Sequence, residues 1–408
     1  MMRALLSGTT KWNAREYFGL AMILATVMAV VYPFGLLYSF LLFLGLAASV
    51  QRPARLSVFL LCVGAVVVLG PLVALKLPIQ DGGNDKLQYL EFMRTMHASG
   101  VEQYLARQPE FLSFASLYIA SSFEGSTDMA FLLIFVTFFS ALLIVMWRER
   151  YEAIPVFLIL LISSSSFFGT YGNVIRQAMA FPFMFMMIFA RTRTRSTLFT
   201  ALAGVTHIPS LIICVPYLLY RYMGKHAIWA AFAATGGVLL VSKASPGLLA
   251  SFGNDDSYLS TKVNLYSTWD AYSIVGVATL AAGIFLLANM LWWRKRTAES
   301  PGVAGTQQAA QRCLTTLNFA ALALIATYAF PKVFERIYIY FFVVALMYMS
   351  LMTVQMRRGL AKTLVSFAIV AYGIYGLAKN LDIQPLLYEG NPIGFLTASI
   401  FDLYRPFM

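Results

Sequence analysis

The sequence predicts an all-α polytopic membrane protein of about ten transmembrane helices. Three observations lead there. Hydrophobic residues make up 60% of the 408 positions and charged residues 12%, with a mean hydropathy of +0.72, whereas soluble domains carry roughly a quarter charged residues. Apolar stretches such as Ser57 to Leu75, Met129 to Trp147 and Ala271 to Trp293 reach the roughly 20 residues that a helix needs to cross hydrocarbon. Finally, Lys and Arg cluster in alternate links, as cytoplasmic loops require.

The N-terminal segment through Glu16 has no small-residue cleavage site before the apolar run, so it reads as leading into a retained first span. Residues 19–50 are nearly continuously apolar but contain Pro33-Phe34-Gly35, which favours two short spans joined by a turn over one long tilted helix. Further spans are expected at 56–75, 129–147, 153–169, 174–190, 227–242, 271–293, 313–330, 337–354 and 363–379. Residues 196–220 are either one span or two half-length helices folded back at His207-Ile208-Pro209, because proline disfavours helix at the residue before it. Charge favours the fold-back: with it, Arg52/Arg55, Arg148/Arg150, Arg191/Arg193/Arg195, Arg221/Lys225, Arg294/Lys295/Arg296/Arg312 and Arg357/Arg358/Lys362 all share the side of the N-terminus. That side is then cytoplasmic, and most acidic residues lie opposite.

Residues 1–408 form a single transmembrane domain in this reading, with outer segments at 76–128, 243–270 and 380–408. Pro109 to Phe123 is apolar but too short to span, so it predicts an interfacial or re-entrant helix. The Arg294 to Gln311 link resembles a flexible cytoplasmic linker. Cys62, Cys214 and Cys313 lie singly in apolar stretches and read as inert core thiols. The net charge of +12 is first explained by basic loops facing anionic lipid rather than by nucleic acid. Walker A, GxGxxG and HExxH signatures are absent, which leaves nucleotide-driven transport and nicotinamide chemistry without support.

Polar residues at the expected outer ends of spans are the candidates for chemistry. In Tyr171-Gly-Asn-Val-Ile-Arg-Gln-Ala-Met-Ala180, helical spacing puts Asn173, Arg176, Gln177 and Ala180 on one face. Arg176 either anchors the span at the interface or serves a polar site in the bundle; an adjacent Gln177 argues against a lipid-facing surface. Lys332 and Arg336 lie four apart with Glu335 beside them, a pattern that suits an internal salt bridge or a phosphate clamp. Asp81 and Asp85 flank a turn that precedes Tyr89, Arg94, His97 and Glu110, offering a general base, a divalent-metal site, or simply a solvated turn with a helix N-cap at Asn84 or Asp85. Asn254-Asp255-Asp256 is a weak metal signal, and no metal site is assigned. His207 is either a packing residue or a proton-transfer group at the break.

In order along the chain, Asp85 with Tyr89, Glu110-Phe111, Ile175 to Ala180, His207 to Ser210 and Arg336 to Tyr340 resemble the EpsG and Wzy-type family of bacterial O-antigen and exopolysaccharide polymerases. Pro209 departs from the histidine motif. The resemblance implies a GT-C-like glycosyltransferase architecture in the inner membrane. It also implies a periplasmic reaction between polyprenyl-pyrophosphate-linked oligosaccharides, no cofactor, and cooperation with a chain-length regulator. By that resemblance Arg176 and Arg336 would stabilise the pyrophosphate leaving group, Asp85, Glu110 or His207 would accept the proton, and Tyr89, Tyr171, Tyr338 and Tyr340 would meet sugar or line the cavity. Arg94, Asn173, Gln177, Lys332 and Glu335 complete the expected substrate contacts. A flippase for the same lipid-linked sugars, a polyprenyl-dependent transferase or O-antigen ligase, and a structural subunit are the rivals; the last is disfavoured by arginines without an obvious partner.

Overall fold

The computed structural model describes residues 24–48, 51–76, 85–106, 108–123, 127–164, 166–244, 283, 306–328, 330–383 and 394–408. Among these the secondary structure is entirely helical. Among the described residues five helices are long and apolar enough to cross a membrane, or up to 6 if one sharply bent pair counts as a span. The chain is therefore a polytopic α-helical membrane protein. The start of the expected first span, before residue 24, together with Asp81, Asn84, the loop with Asn254-Asp255-Asp256, nearly all of the span at 271–293 and most of the Arg294 to Gln311 linker lie outside the described residues.

Helical residues 24–31 break at Tyr32, and α1 (Pro33–Ala47) starts with proline in its first turn, where its missing N–H has no helical partner to lose. α2 (Arg55–Ala74) is the span expected at 56–75. It turns Leu56, Phe59, Leu60, Val63 and Val67 outward, an apolar stripe suited to lipid. Among the described residues of 76–128 there are three helices, α3 (Asp85–Ser99), α4 (Val101–Leu105) and the short α5 (Phe111–Ser121), the last within the apolar stretch Pro109 to Phe123.

α6 (Thr127–Arg150) is followed by a 3-10 turn, Tyr151–Ala153, and then by α7 (Ile154–Ile162), all nine residues of which are buried. Here the structure corrects the expected span at 153–169: helix stops at the serines Ser163 and Ser164, whose chain resumes as α8 (Ser166–Gly172). Serine side chains compete with the helix for backbone groups, and Ser164 Oγ indeed donates to Leu161 O at 2.7 Å. α9 (Ile175–Phe189) leaves α8 at 100°, so the expected span at 174–190 is the second limb of a bent pair.

The fold-back is present. α10 (Arg193–Thr206) ends at His207, a 3-10 turn covers Ile208–Ser210, and α11 (Leu211–Met223) returns. Its open end is fastened: Arg221 near the end of α11 donates to the carbonyls of Arg191 and Thr192 at 3.2 and 3.3 Å, and Thr197 Oγ1 lies 3.1 Å from the Tyr222 hydroxyl.

α12 (Lys225–Ala244), α13 (Thr306–Ala326), α14 (Pro331–Gln355) and α15 (Leu360–Ile383) follow, and the short α16 (Gly394–Thr397) and α17 (Ile400–Tyr404) end the chain. α13 and α14 pack along each other, α9 packs on α6 and α10, and α15 lies on α1 and α7. Along α15, Gly373 and Gly376 bring the backbone close to α7: the Tyr38 hydroxyl bridges Gly373 O at 2.6 Å and Ser163 Oγ at 2.7 Å. α7 and α9 thus form the centre, and the Phe167, Phe181 and Phe185 rings fill it.

Candidate functional site

Glu110 stands just before α5, where the chain turns, and the residue is 2% exposed. A carboxylate in such a place is unfavourable unless its oxygens are satisfied. Three donors from two distant segments supply this. Arg176 Nη1 donates to Oε2, while His207 Nδ1 at 2.9 Å and the Ile208 backbone N–H at 2.8 Å reach Oε1. The tip of the α10–α11 hairpin therefore closes directly on Glu110, and Pro209, which ends the helical run, leaves the Ile208 N–H free of an intrahelical partner so that it can do so.

Arg176 occupies the first turn of α9, beside the 100° bend. Its guanidinium carbon lies 5.6 Å from the Tyr89 ring centre and 5.3 Å from that of Phe114, within cation–π range, and its Nε donates to the Tyr89 hydroxyl at 3.4 Å. The arginine is thus paired and sandwiched rather than anchoring a span at an interface. Gln177, fully buried beside it, donates to Arg336 O.

Arg336 lies near the start of α14, and its Nη2 donates to Asp85 Oδ2 at 2.8 Å. Asp85 opens α3, where a carboxylate also suits the positive end of the helix. One turn along α14, Tyr340 is fully buried, its ring 6.3 Å from that of His207 and edge-on to Phe181 at 5.6 Å. His207 Nε2, the Tyr340 hydroxyl and Gln177 Oε1 are buried without a hydrogen-bond partner among the described residues.

All five candidate catalytic residues, Asp85, Glu110, Arg176, His207 and Arg336, therefore meet in one cluster, and Tyr89, Gln177 and Tyr340 join them. The remaining candidates do not all join it. Asn173 precedes α9 instead of sharing its face, and once its amide is oriented to suit its neighbours its oxygen accepts from Lys76 Nζ at 3.0 Å. Arg94 is exposed and faces Glu91 at 4.0 Å on its own helix, away from the cluster. Tyr171 is buried among Phe135, Phe139 and Phe167, one ring removed from the cluster through Phe181. Tyr338 stacks between Phe334 and Phe342. Glu335 is half-buried on α14, and the Lys332 side chain lies outside what is described. The arginines that lacked an obvious partner in sequence have one each, Glu110 and Asp85, so that argument against a structural role falls away.

Two lysines escaped sequence reasoning. Lys86 Nζ, buried, donates to Ala74 O at 2.7 Å, Lys76 O at 2.8 Å and Asp128 Oδ1 at 3.1 Å, joining the ends of α2, α3 and α6 beside the cluster. Lys76 packs its stem over Gly172. Burial, and secondarily the charge of Lys86, lowers the Lys76 ammonium to about 8; burial also lowers Lys86, against the opposing pull of Asp128. The available signal was a lysine set between leucines, Leu75-Lys76-Leu77, directly after a span.

No group of three metal-ligating side chains is assembled among the described residues. Chemically, the cluster combines an imidazole oriented by a carboxylate with two guanidinium groups, an arrangement suited to moving a proton next to a developing anion. No curated protein and no solved structure matches the chain. The model of the EpsG family matches residues 58–389 of the 408, a range that contains every member of the Glu110 cluster, and the chain belongs to the EpsG family.

Proposed function

We propose that this protein is a polysaccharide polymerase acting at the periplasmic face of a bacterial inner membrane, within a GT-C-like bundle of about ten spans. Its substrates would be polyprenyl-pyrophosphate-linked oligosaccharides. Membership of the EpsG family supports polysaccharide polymerisation as the class of activity. The observation that supports the chemistry most directly is the His207 imidazole: Nδ1 faces the Glu110 carboxylate, which can only accept, so Nδ1 bears the hydrogen and Nε2 the lone pair, and Nε2 is buried without a protein partner among the described residues.

In the proposed step a sugar hydroxyl of one repeat unit attacks the anomeric carbon of the other chain. The new glycosidic C–O bond forms as the bond from that carbon to the pyrophosphate oxygen breaks. The hydroxyl proton passes to His207 Nε2, and polyprenyl pyrophosphate departs with the electron pair. Arg176 and Arg336 stabilise the charge gathering on the leaving oxygens, the largest contribution expected in such a site. Glu110 holds the imidazole tautomer and balances the imidazolium, the part a carboxylate plays beside a catalytic histidine. Asp85 and Tyr89 fix the two guanidinium groups in position.

The test is purified protein in lipid, supplied with synthetic polyprenyl-pyrophosphate oligosaccharide, following glycan length and released lipid together. The native chain is expected to give a ladder with matching release, and His207→Asn to lower the rate by about 10²–10⁴-fold with the fold intact. Release with one added unit identifies a transferase or ligase instead, and neither ladder nor release with the genuine repeat unit removes the enzyme reading in favour of a flippase.

A further inference from the structure

At the end of α6 and α14 remote from the Glu110 cluster, a second polar site is assembled. Arg336 and Gln355 are separated along α14 by about 30 Å at 1.5 Å per residue, so the two sites lie about a hydrocarbon thickness apart. The second is a cavity of about 360 Å³ lined by Arg52, Arg150, Glu152, Gln355, Arg358 and Lys362 among others. That volume falls within the range of small-molecule sites. Its walls come from three separate places along the chain: Arg52 from the α1–α2 link, Arg150 and Glu152 from the end of α6 and the turn after it, and Arg358 and Lys362 from the α14–α15 link and the first turn of α15.

Four cations there face one carboxylate. No ion pair among the described residues joins Arg52, Arg150, Arg358 or Lys362 to Glu152 or to any other acid. Lys362 is 8% exposed and Glu152 9%, so part of this charge lies inside the protein wall rather than in open solvent. Like charges gathered in a partly desolvated cavity repel one another. Basic residues scattered over a loop surface would be accounted for by orientation in the membrane alone. Convergence of three separate places along the chain on one cavity calls for a multivalent anion, and guanidinium forks match the tetrahedral oxygens of phosphate.

We propose that this cavity binds a phosphate group, presented either by the headgroup of an anionic phospholipid of the adjoining leaflet or by a free phosphate anion. Basic pockets between membrane helices hold lipid phosphates in this way. The inference is independent of the reaction proposed at Glu110.

The test is native mass spectrometry of the full chain in detergent with equal amounts of phosphatidylglycerol and phosphatidylcholine, beside thermal melts with and without inorganic phosphate. The variants are Arg52→Gln/Arg358→Gln, both at exposed positions, and Lys362→Gln; Arg193→Gln/Arg195→Gln at the start of α10 is the surface-charge control. A lipid phosphate site retains phosphatidylglycerol about tenfold over phosphatidylcholine and loses that preference in the first two variants but not in the control. A free-phosphate site instead shows a phosphate-dependent rise in melting temperature with the same variant pattern. Equal retention of both lipids together with no response to phosphate overturns the proposal, as does a preference that the control variant reduces equally.

Discussion

The Arg336 guanidinium donates to the Asp85 carboxylate at 2.8 Å across 251 positions of sequence, closing the start of α3 onto α14. Both side chains are partly buried, at 19% and 15% exposure, so water screens the pair less than it would a surface bridge. A double-mutant cycle of Asp85→Ala and Arg336→Ala, read by chemical or thermal unfolding in detergent, should give a coupling of about 1–3 kcal/mol. Additive single effects would mean that the contact does not hold α3 in place.

Glu110→Gln should be more damaging than its small change in shape suggests. The amide keeps an acceptor but removes the charge that partners Arg176, leaving a buried guanidinium without its carboxylate. A loss of about 3–5 kcal/mol is expected, accompanied by loss of activity. If Glu110→Gln melts like the native chain, Arg176 draws its compensation from the Tyr89 and Phe114 rings instead.

Lys76 should give the stability of the protein a specific pH dependence. Its ammonium is lowered to about 8 by burial and then by Lys86, whereas the unfolded chain titrates near 10.5. Between those values the unfolded state binds more protons, so this residue makes the protein more stable as pH rises through the window, and the gain is lost as pH falls through about 8. Comparing melting temperatures at about pH 7.5 and about pH 9.5, the native chain should gain relative to Lys76→Met. Parallel curves for the two proteins would contradict this.

Gly376 is a close approach of α15 to the core. A Cβ there would meet the carbonyl oxygen of Ser163, a backbone atom that cannot rotate away. Gly376→Ala should therefore destabilise by about 1–3 kcal/mol despite the higher helix propensity of alanine. Gly236→Ala, which meets open space on α12, is the control and should be neutral or slightly stabilising.

The contrast between α6 and α7 shows what could be read from sequence. α2, α6, α13, α14 and α15 are long apolar stretches bounded by charge, and length alone identifies them. α7, α8 and α9 are largely apolar as well, yet they are short and buried on nearly all sides, and α9 leaves α8 at 100°; an apolar run carries no mark distinguishing protein neighbours from lipid. The hairpin break was legible because Pro209 acts locally and because the positive charges needed a common side. The site residues stood out as polar groups in apolar surroundings. Their pairing did not: the acid next to Arg336 in sequence is Glu335, while its partner Asp85 comes from a segment brought near only by tertiary folding, as Glu110 is brought to Arg176 and His207.

The fastening of the α10–α11 hairpin at its open end makes the hairpin a measuring rod. Arg221 pins its base to Arg191 and Thr192, while the imidazole sits at the far tip, so the depth of His207 is set by the number of residues in α10. Adding one residue to that limb would advance the tip by about 1.5 Å and swing it by about 100°. Either displacement would carry Nδ1 away from Glu110, so the residue count of α10 is fixed by the site whatever its exposed side chains are.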